Sequence, residues 1–177
     1  MSADSAVVHR PTMAEQSDIH ELYEKSVQNV EHEVEFLQTT FEQISGRKAF
    51  LFREDFCGTA SASCEWVKQG DEYQAIGVDI EPAVLEWGRN HRLSKLPAAD
   101  QARVQLVESD VMTAELPQAD LLAAFNFSFF IFNTRDQLRE YFRKSYEALK
   151  DDGVFFVDLI IAHLRDGREP DFLPVLF

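Results

Sequence analysis

A glycine turn followed at a fixed distance by an acid is the feature of this chain that points most directly to chemistry. Gly58 comes after the apolar run 49–52 and before the stretch 61–69, which can form a helix, so it occupies a strand-to-helix turn. Such a turn offers backbone N–H groups and a helix dipole to a ligand. Asp79 ends a second apolar run 21 residues after Gly58. An acid at this distance is typical of ribose binding in nucleotide-binding units.

Two more polar residues follow predicted strands. Asp110 comes after the segment 103–108, and Asn126 comes after the segment 120–125. Because the carboxyl ends of the strands in a wound sheet form one rim, we expect the loops at Gly58, Asp79 and Asp110 to converge there.

The elements that must position these residues alternate between strands and helices. Pro82 suits the first position of a helix, and Thr134 with Gln137 has the pattern of a capping box. We predict a turn at 151–153. The predicted strands cover 49–53, 75–78, 103–108, 120–125 and 154–161, and the predicted helices cover 59–69, 82–91 and 134–150, after one or two N-terminal amphipathic helices ended by Gly46. Near-continuous apolar strands between amphipathic helices predict an α/β fold with a doubly wound, mostly parallel, Rossmann-like sheet.

Size and composition limit the domain organisation and the partners. With 177 residues, 45% of them hydrophobic, the chain has enough apolar surface for one well-buried core. We expect a flexible lead and cap helices in 1–46 and one globular domain in 47–177. The net charge of -14 disfavours nucleic acid and anionic membrane surfaces as partners.

Metal and disulfide chemistry are not expected. The two cysteines, Cys57 and Cys64, fit neither metal-ligand spacing nor a disulfide framework, which favours a reduced, cytoplasmic setting. No apolar stretch reaches transmembrane length. None of the common zinc-binding patterns includes the histidines, which are His9, His20, His32, His91 and His163.

The segment 53–60, which reads Arg-Glu-Asp-Phe-Cys-Gly-Thr-Ala, resembles the first motif of class I S-adenosylmethionine-dependent methyltransferases. The family motif is an acid followed by three alternate glycines, and it aligns here as Glu54, Phe56, Gly58 and Ala60. The variant is similar to one in a poorly characterised bacterial branch. The resemblance covers roughly residues 23–159 and implies the methyltransferase fold. We expect the last two strands of that fold to be missing here.

The resemblance implies S-adenosylmethionine as the cofactor and a role for each loop. Gly58 would let the backbone approach the methionyl part, and Asp79 would bind both ribose hydroxyls. Ile80 would pack on the adenine face, while Asp110 and the N–H of Val111 would bind the adenine amino group and a ring nitrogen. Two alternatives stay open: Asp79 could be the N-cap of the following helix, and Asp110 could belong to an ordinary turn.

The same resemblance suggests residues for the methionyl end and for catalysis. Asn126 would hold the cofactor's amino end and, with Tyr23 of an N-terminal lid, is a candidate catalytic residue. Tyr23 could equally be a core residue. Arg53 would pair with the cofactor carboxylate or form a structural ion pair with Glu54 or Asp55. Within the motif, Phe56 must point away from the cofactor or pack against it.

The expected function is methyl transfer to a small-molecule acceptor by in-line displacement. One alternative is an NAD-dependent dehydrogenase, which shares the glycine turn and the ribose acid but needs glycines at both outer positions. Another is a truncated, non-catalytic module that binds S-adenosylmethionine or a nucleoside. An uncovered fifth strand would be an exposed apolar edge, so we also expect homodimerisation through it. We expect cofactor affinity to persist in this chain and turnover to be reduced or absent.

Overall fold

Five parallel strands form one sheet in the part of the chain that the computed structural model describes, residues 18, 20, 22 and 29–158. The strand order is β3-β2-β1-β4-β5, so the direction of winding reverses between β1 and β4. This arrangement confirms the predicted doubly wound, parallel sheet. The strands are β1 (Leu51–Asp55), β2 (Gln74–Asp79), β3 (Val104–Glu108), β4 (Ala119–Ala124) and β5 (Leu149–Val157).

Helices cover both faces of this sheet. One face packs against α1, α2 and α3, and the opposite face packs against α5 and the loop 109–118. The helices are α1 (Val30–Ser45), α2 (Ser61–Trp66), α3 (Pro82–His91), α4 (Ala98–Gln101) and α5 (Arg135–Glu147), with short 3-10 turns at Val67–Gln69, Leu93–Lys95 and Ser128–Ile131. Among the described residues, no helix combines the length and the apolar character needed to cross a membrane.

Local sequence signals define several helix ends. Gly46 ends α1 in the left-handed conformation, with φ at 71°, and Pro82 is the first residue of α3. Thr134 and Gln137 form the complete capping box of α5, each side chain bonding to the other residue's backbone N–H. Each of these signals acts within four residues of a helix end, which is why these helix ends were predictable.

The main core lies between α1, α2 and the sheet. Leu37 and Phe41 of α1 and Trp66 of α2 are fully buried in the same cluster as Phe52 of β1 and Leu121 of β4. Because α1 contributes to this core, it is an integral part of the globular unit.

The predicted turn at 151–153 is wrong, because these residues belong to β5. The register passes from Ala119 opposite Leu149 to Leu121 opposite Val154, so the strand bulges there. The side chain of Asp120, 1% exposed, accepts a 2.9 Å bond from Lys150 Nζ, and Arg47 pairs with Asp152. These long-range ion pairs favour the bulged strand over an isolated turn. Of the predicted strand 154–161, residues 159–161 lie outside the described part of the chain.

Candidate cofactor site

Three loops meet at the carboxyl ends of adjacent strands. The backbone N–H of Gly58, after β1, donates to Asp79 Oδ2 at 2.7 Å. The N–H of Ser109, after β3, donates to the carbonyl of Asp79 at 3.0 Å, which puts Asp110 on the same rim. The predicted convergence of Gly58, Asp79 and Asp110 along one rim is therefore present.

Asp79 shapes the rim through both carboxylate oxygens. Besides the bond from Gly58, it accepts a 3.0 Å bond from the N–H of Glu81 through Oδ1. The N-cap of α3 is Glu81, whose carboxylate accepts the N–H of Ala83, so Asp79 does not itself cap the helix. Since each carboxylate oxygen can accept more than one bond, Asp79 retains acceptor capacity for a ligand.

Alternate residues of the turn after β1 have left-handed backbone conformations. Phe56, Gly58 and Ala60 have φ values of 58°, 53° and 58°. Outside glycine this conformation costs about 1–2 kcal/mol per residue. Packing offsets that cost: the Phe56 ring contacts Tyr141, with centroids 5.7 Å apart, and Ala60 is fully buried. The turn thus keeps its shape with a single glycine, and Phe56 points toward the α5 face.

Helix α3 packs closely against this turn through a second glycine. A Cβ atom on Gly88 would lie 2.5 Å from the carbonyl oxygen of Thr59. Only glycine therefore allows α3 to approach the turn at this distance. The packing couples the position of α3 to the conformation of the Gly58 turn.

Glu54 links β1 to the start of α2. Its side chain is 4% exposed, and Oε2 accepts bonds from Ser63 N at 3.0 Å and Ser63 Oγ at 2.6 Å. Burial raises the pKa of Glu54 to about 7, although the two bonds from Ser63 act in the opposite direction. Glu54 therefore supports the helix that follows the Gly58 turn.

Arg53 lies on the opposite face of β1, and the structural ion pair is the arrangement observed. Its Nε is 2.7 Å from Asp55 Oδ1, and the Tyr141 hydroxyl donates to Asp55 Oδ2 at 3.1 Å. A further bond of 3.4 Å runs from Arg53 Nη2 to the carbonyl of Val111. Arg53 borders a cavity of about 890 Å³ between α5 and the loop 111–117, not the rim.

The side chains expected at the adenine ring differ in their exposure to solvent. Ile80 is 68% exposed beside Asp79, whereas the Val111 side chain is buried. The N–H of Val111 donates to no acceptor within the described residues. Asp110 is exposed and accepts the N–H of Met112 at 2.9 Å, so it also shapes its own turn.

A further acid organises the turn after β4. Asn126 and Phe127 have φ values of 55° and 56°, and their N–H groups donate to Asp158 Oδ2 and Oδ1 at 2.8 and 2.9 Å. The half-buried Asn126 amide has no hydrogen-bond partner among the described residues. Asp158 was not among the predicted site residues, although its position directly after β5 matches that of Asp79 at the end of β2. Tyr23 lies outside the described residues.

No cluster of metal-binding side chains occurs in the described part of the chain. Two cavities formed by the described residues do not include Gly58, Asp79 or Asp110 in their walls. Besides the cavity beside Arg53, an apolar groove of about 800 Å³ between α5 and β5 is lined by aromatic side chains that include Phe142 and Tyr146.

The fold matches solved structures that share little sequence with it. The sugar N-methyltransferase KedS8 from a Streptoalloteichus species gives a TM-score of 0.66 at 18% identity, with 95% of this chain and 64% of that one covered. CalS10, an amino pentose methyltransferase from Micromonospora echinaspora solved with S-adenosylmethionine bound, gives 0.68 at 18%, covering 89% and 62%. The glycopeptide N-methyltransferase MtfA, solved with the same molecule, gives 0.57 at 20%, covering 71% and 54%.

These likenesses show the fold, and the chain spans 54% to 64% of those structures' own length. No curated protein matches the chain in sequence. The family model described as "Methyltransferase domain" matches residues 56–153, more than half of the chain. The match includes the turn after β1, Asp79 and the loop after β4. The chain therefore belongs to the methyltransferase domain family.

Proposed function

We propose that this chain is an S-adenosylmethionine-dependent methyltransferase that acts on a small-molecule acceptor. The observation that carries the proposal is the convergence of the Gly58 turn, Asp79 and Asp110 on one rim, with the Gly58 N–H bonded to Asp79. In a parallel α/β sheet this rim, at the carboxyl ends of the strands, is the usual ligand site.

Several groups on the rim have remaining capacity to bond to an adenosyl ligand. Asp79 would accept the ribose hydroxyls, and the exposed Ile80 side chain would contact the adenine ring. Asp110 and the N–H of Val111, which has no acceptor among the described residues, offer an acceptor and a donor for the adenine edge. The Asn126 amide would bond to the amino acid part of the ligand. Because buried polar groups are costly when unpaired, such a donor and acceptor pair favours adenine over other bases.

S-adenosylmethionine supplies a methyl group on a positively charged sulfur, so transfer is an in-line displacement. The chain's task is to align the acceptor and to exclude water. Asn126 lies after β4, which pairs with β1, so it is beside the Gly58 turn. The rings of Phe127 and Phe130, 6.1 Å apart, lie next to it and would form an apolar wall for the acceptor. We retain Tyr23 as a candidate catalytic residue.

Two observations support a small-molecule acceptor. The three solved structures named above are a glycopeptide, a sugar and an amino pentose methyltransferase. The net charge of -14 disfavours a nucleic acid. Incubating the chain with radiolabelled S-adenosylmethionine and fractionated metabolites would identify an acceptor, whereas binding without labelled product would indicate a non-catalytic module.

The role of Asp79 can be tested by calorimetric titration with S-adenosylmethionine. Asp79→Asn keeps the shape of the side chain but removes its charge and one acceptor, so we expect the affinity to fall about tenfold or more. Asp71→Asn is the matched control, because Asp71 is exposed near the opposite end of β2 and should not alter binding. Equal affinities of the wild type, D79N and D71N for S-adenosylmethionine would show that Asp79 is not part of the site.

The expected homodimer also stays a prediction. β5 is one edge of the described sheet, beside the apolar groove that includes Phe142 and Tyr146. Sedimentation velocity at several protein concentrations would show a dimer if the β5 edges of two copies pair. A monomer at every concentration would contradict the prediction.

A further inference from the structure

The turn after β4 has a backbone conformation that its own residues do not favour. Asn126 and Phe127 are consecutive and both left-handed, with φ values of 55° and 56°. Asn tolerates this conformation better than most residues, but Phe does not, so we expect an interaction from elsewhere in the chain to stabilise the pair. Within the turn, Ser128 contributes only bonds back to the carbonyl of Phe125, from its N–H at 3.2 Å and its Oγ at 2.7 Å.

The stabilising interaction comes from Asp158, 31 and 32 residues along the chain. Successive N–H groups in this kind of backbone point the same way and form a concave anion-binding site. The Asp158 carboxylate occupies it, with one oxygen on Asn126 N at 2.8 Å and the other on Phe127 N at 2.9 Å. Hydrogen bonds to a carboxylate are stronger than those between neutral groups.

The turn that Asp158 stabilises adjoins the candidate cofactor site. Ala124, at the end of β4, pairs with Asp55 at the end of β1, so Asn126 and the Gly58 turn begin from neighbouring positions. The backbone of Asn126 is bonded to Asp158, whereas its half-buried amide has no partner within the described residues. The carboxylate thus fixes the direction of a side chain that is available to a ligand.

We propose that Asp158 is a positioning residue of the cofactor site, which fixes Asn126 and Phe127 in the left-handed conformation and so directs the Asn126 amide toward bound S-adenosylmethionine. This inference rests on the proposed function for its ligand. Asp158 would act on the ligand through Asn126 and would not contact the reacting atoms.

A direct test measures hydrogen exchange of the Asn126 and Phe127 amides by NMR in the full chain without ligand. Asp158→Asn keeps the size of the side chain, but its NH₂ group faces one of the two N–H donors, so we expect these amides to exchange at least about tenfold faster. Asp151→Asn, an exposed acid elsewhere in β5, is the control and should leave both rates unchanged. Unchanged rates in D158N would overturn the proposal. Should D158N fail to fold, Asp158→Ser retains one acceptor and gives the same comparison.

A double-mutant cycle then tests whether Asp158 acts through Asn126. We expect D158N to weaken S-adenosylmethionine binding about tenfold in the wild-type background and less than about twofold in the Asn126→Ala background. Equal effects in both backgrounds would mean a general structural role and would overturn the proposal. If the wild-type chain does not bind the cofactor, the proposed function fails, while the exchange rates still decide whether Asp158 fixes the turn.

Discussion

Replacement of Glu54 by glutamine should change how stability depends on pH. The Glu54 carboxyl is buried, and burial raises its pKa from 4.5 to about 7. Protonation therefore favours the folded state: the stabilising contribution is complete below pH 4.5 and is lost as the pH rises through about 7. A shift of this size corresponds to about 3 kcal/mol in full, and to about 2 kcal/mol between pH ~5.5 and ~8.

Glu54→Gln keeps an oxygen that can accept both bonds from Ser63 but cannot ionise. Urea unfolding monitored by circular dichroism, repeated across that pH range, should show the wild-type free energy of unfolding falling by about 2 kcal/mol relative to E54Q. Glu42→Gln, on the exposed surface of α1, is the control and should run parallel to the wild type. Parallel curves for E54Q and the wild type would refute the account of a buried carboxyl at this position.

Two further substitutions test buried packing, one beside the turn after β1 and one in α1. Gly88→Ala places a methyl group against the Thr59 carbonyl, so it should lower the free energy of unfolding by about 1–3 kcal/mol and weaken cofactor binding. Glu86→Ala, on the exposed side of α3, is the control and should change neither quantity. A G88A protein with the stability and cofactor affinity of the wild type would show that α3 and the turn are not tightly packed. The buried Gln38 amide has no hydrogen-bond partner within the described residues. Gln38→Met should therefore stabilise the chain by about 1–2 kcal/mol in urea unfolding, and a less stable variant would contradict this expectation.

Local chemistry made much of the fold predictable from the sequence. The capping box at Thr134 and Gln137, Pro82 at the start of α3 and Gly46 after α1 each act within one turn of helix, so a short window contains the whole signal. The parallel, doubly wound sheet was predictable from the alternation of strands and helices. By contrast, 151–153 has turn-forming residues but lies in β5, because ion pairs with distant residues favour the bulged strand.

The site was predictable in its outline and not in its supporting contacts. The spacing of Gly58 and Asp79 indicated the rim, but no local pattern could show that the two residues bond to each other. The partner of Arg53 depends on which face of β1 its side chain occupies, which pairs it with Asp55. Asp158 was missed because its bonds reach back 31 and 32 residues, to a turn whose left-handed backbone has no glycine to signal it.

Calorimetric titration of the wild-type chain with S-adenosylmethionine, S-adenosylhomocysteine and NADH tests the central claim most directly. The arrangement of Asp79, Asp110 and Val111 predicts saturable one-to-one binding of both adenosyl ligands. Because Phe56 and Ala60 occupy the outer positions at which a dehydrogenase needs glycines, we expect no measurable heat with NADH. Binding of NADH with no response to S-adenosylmethionine would contradict the assignment and favour a dehydrogenase.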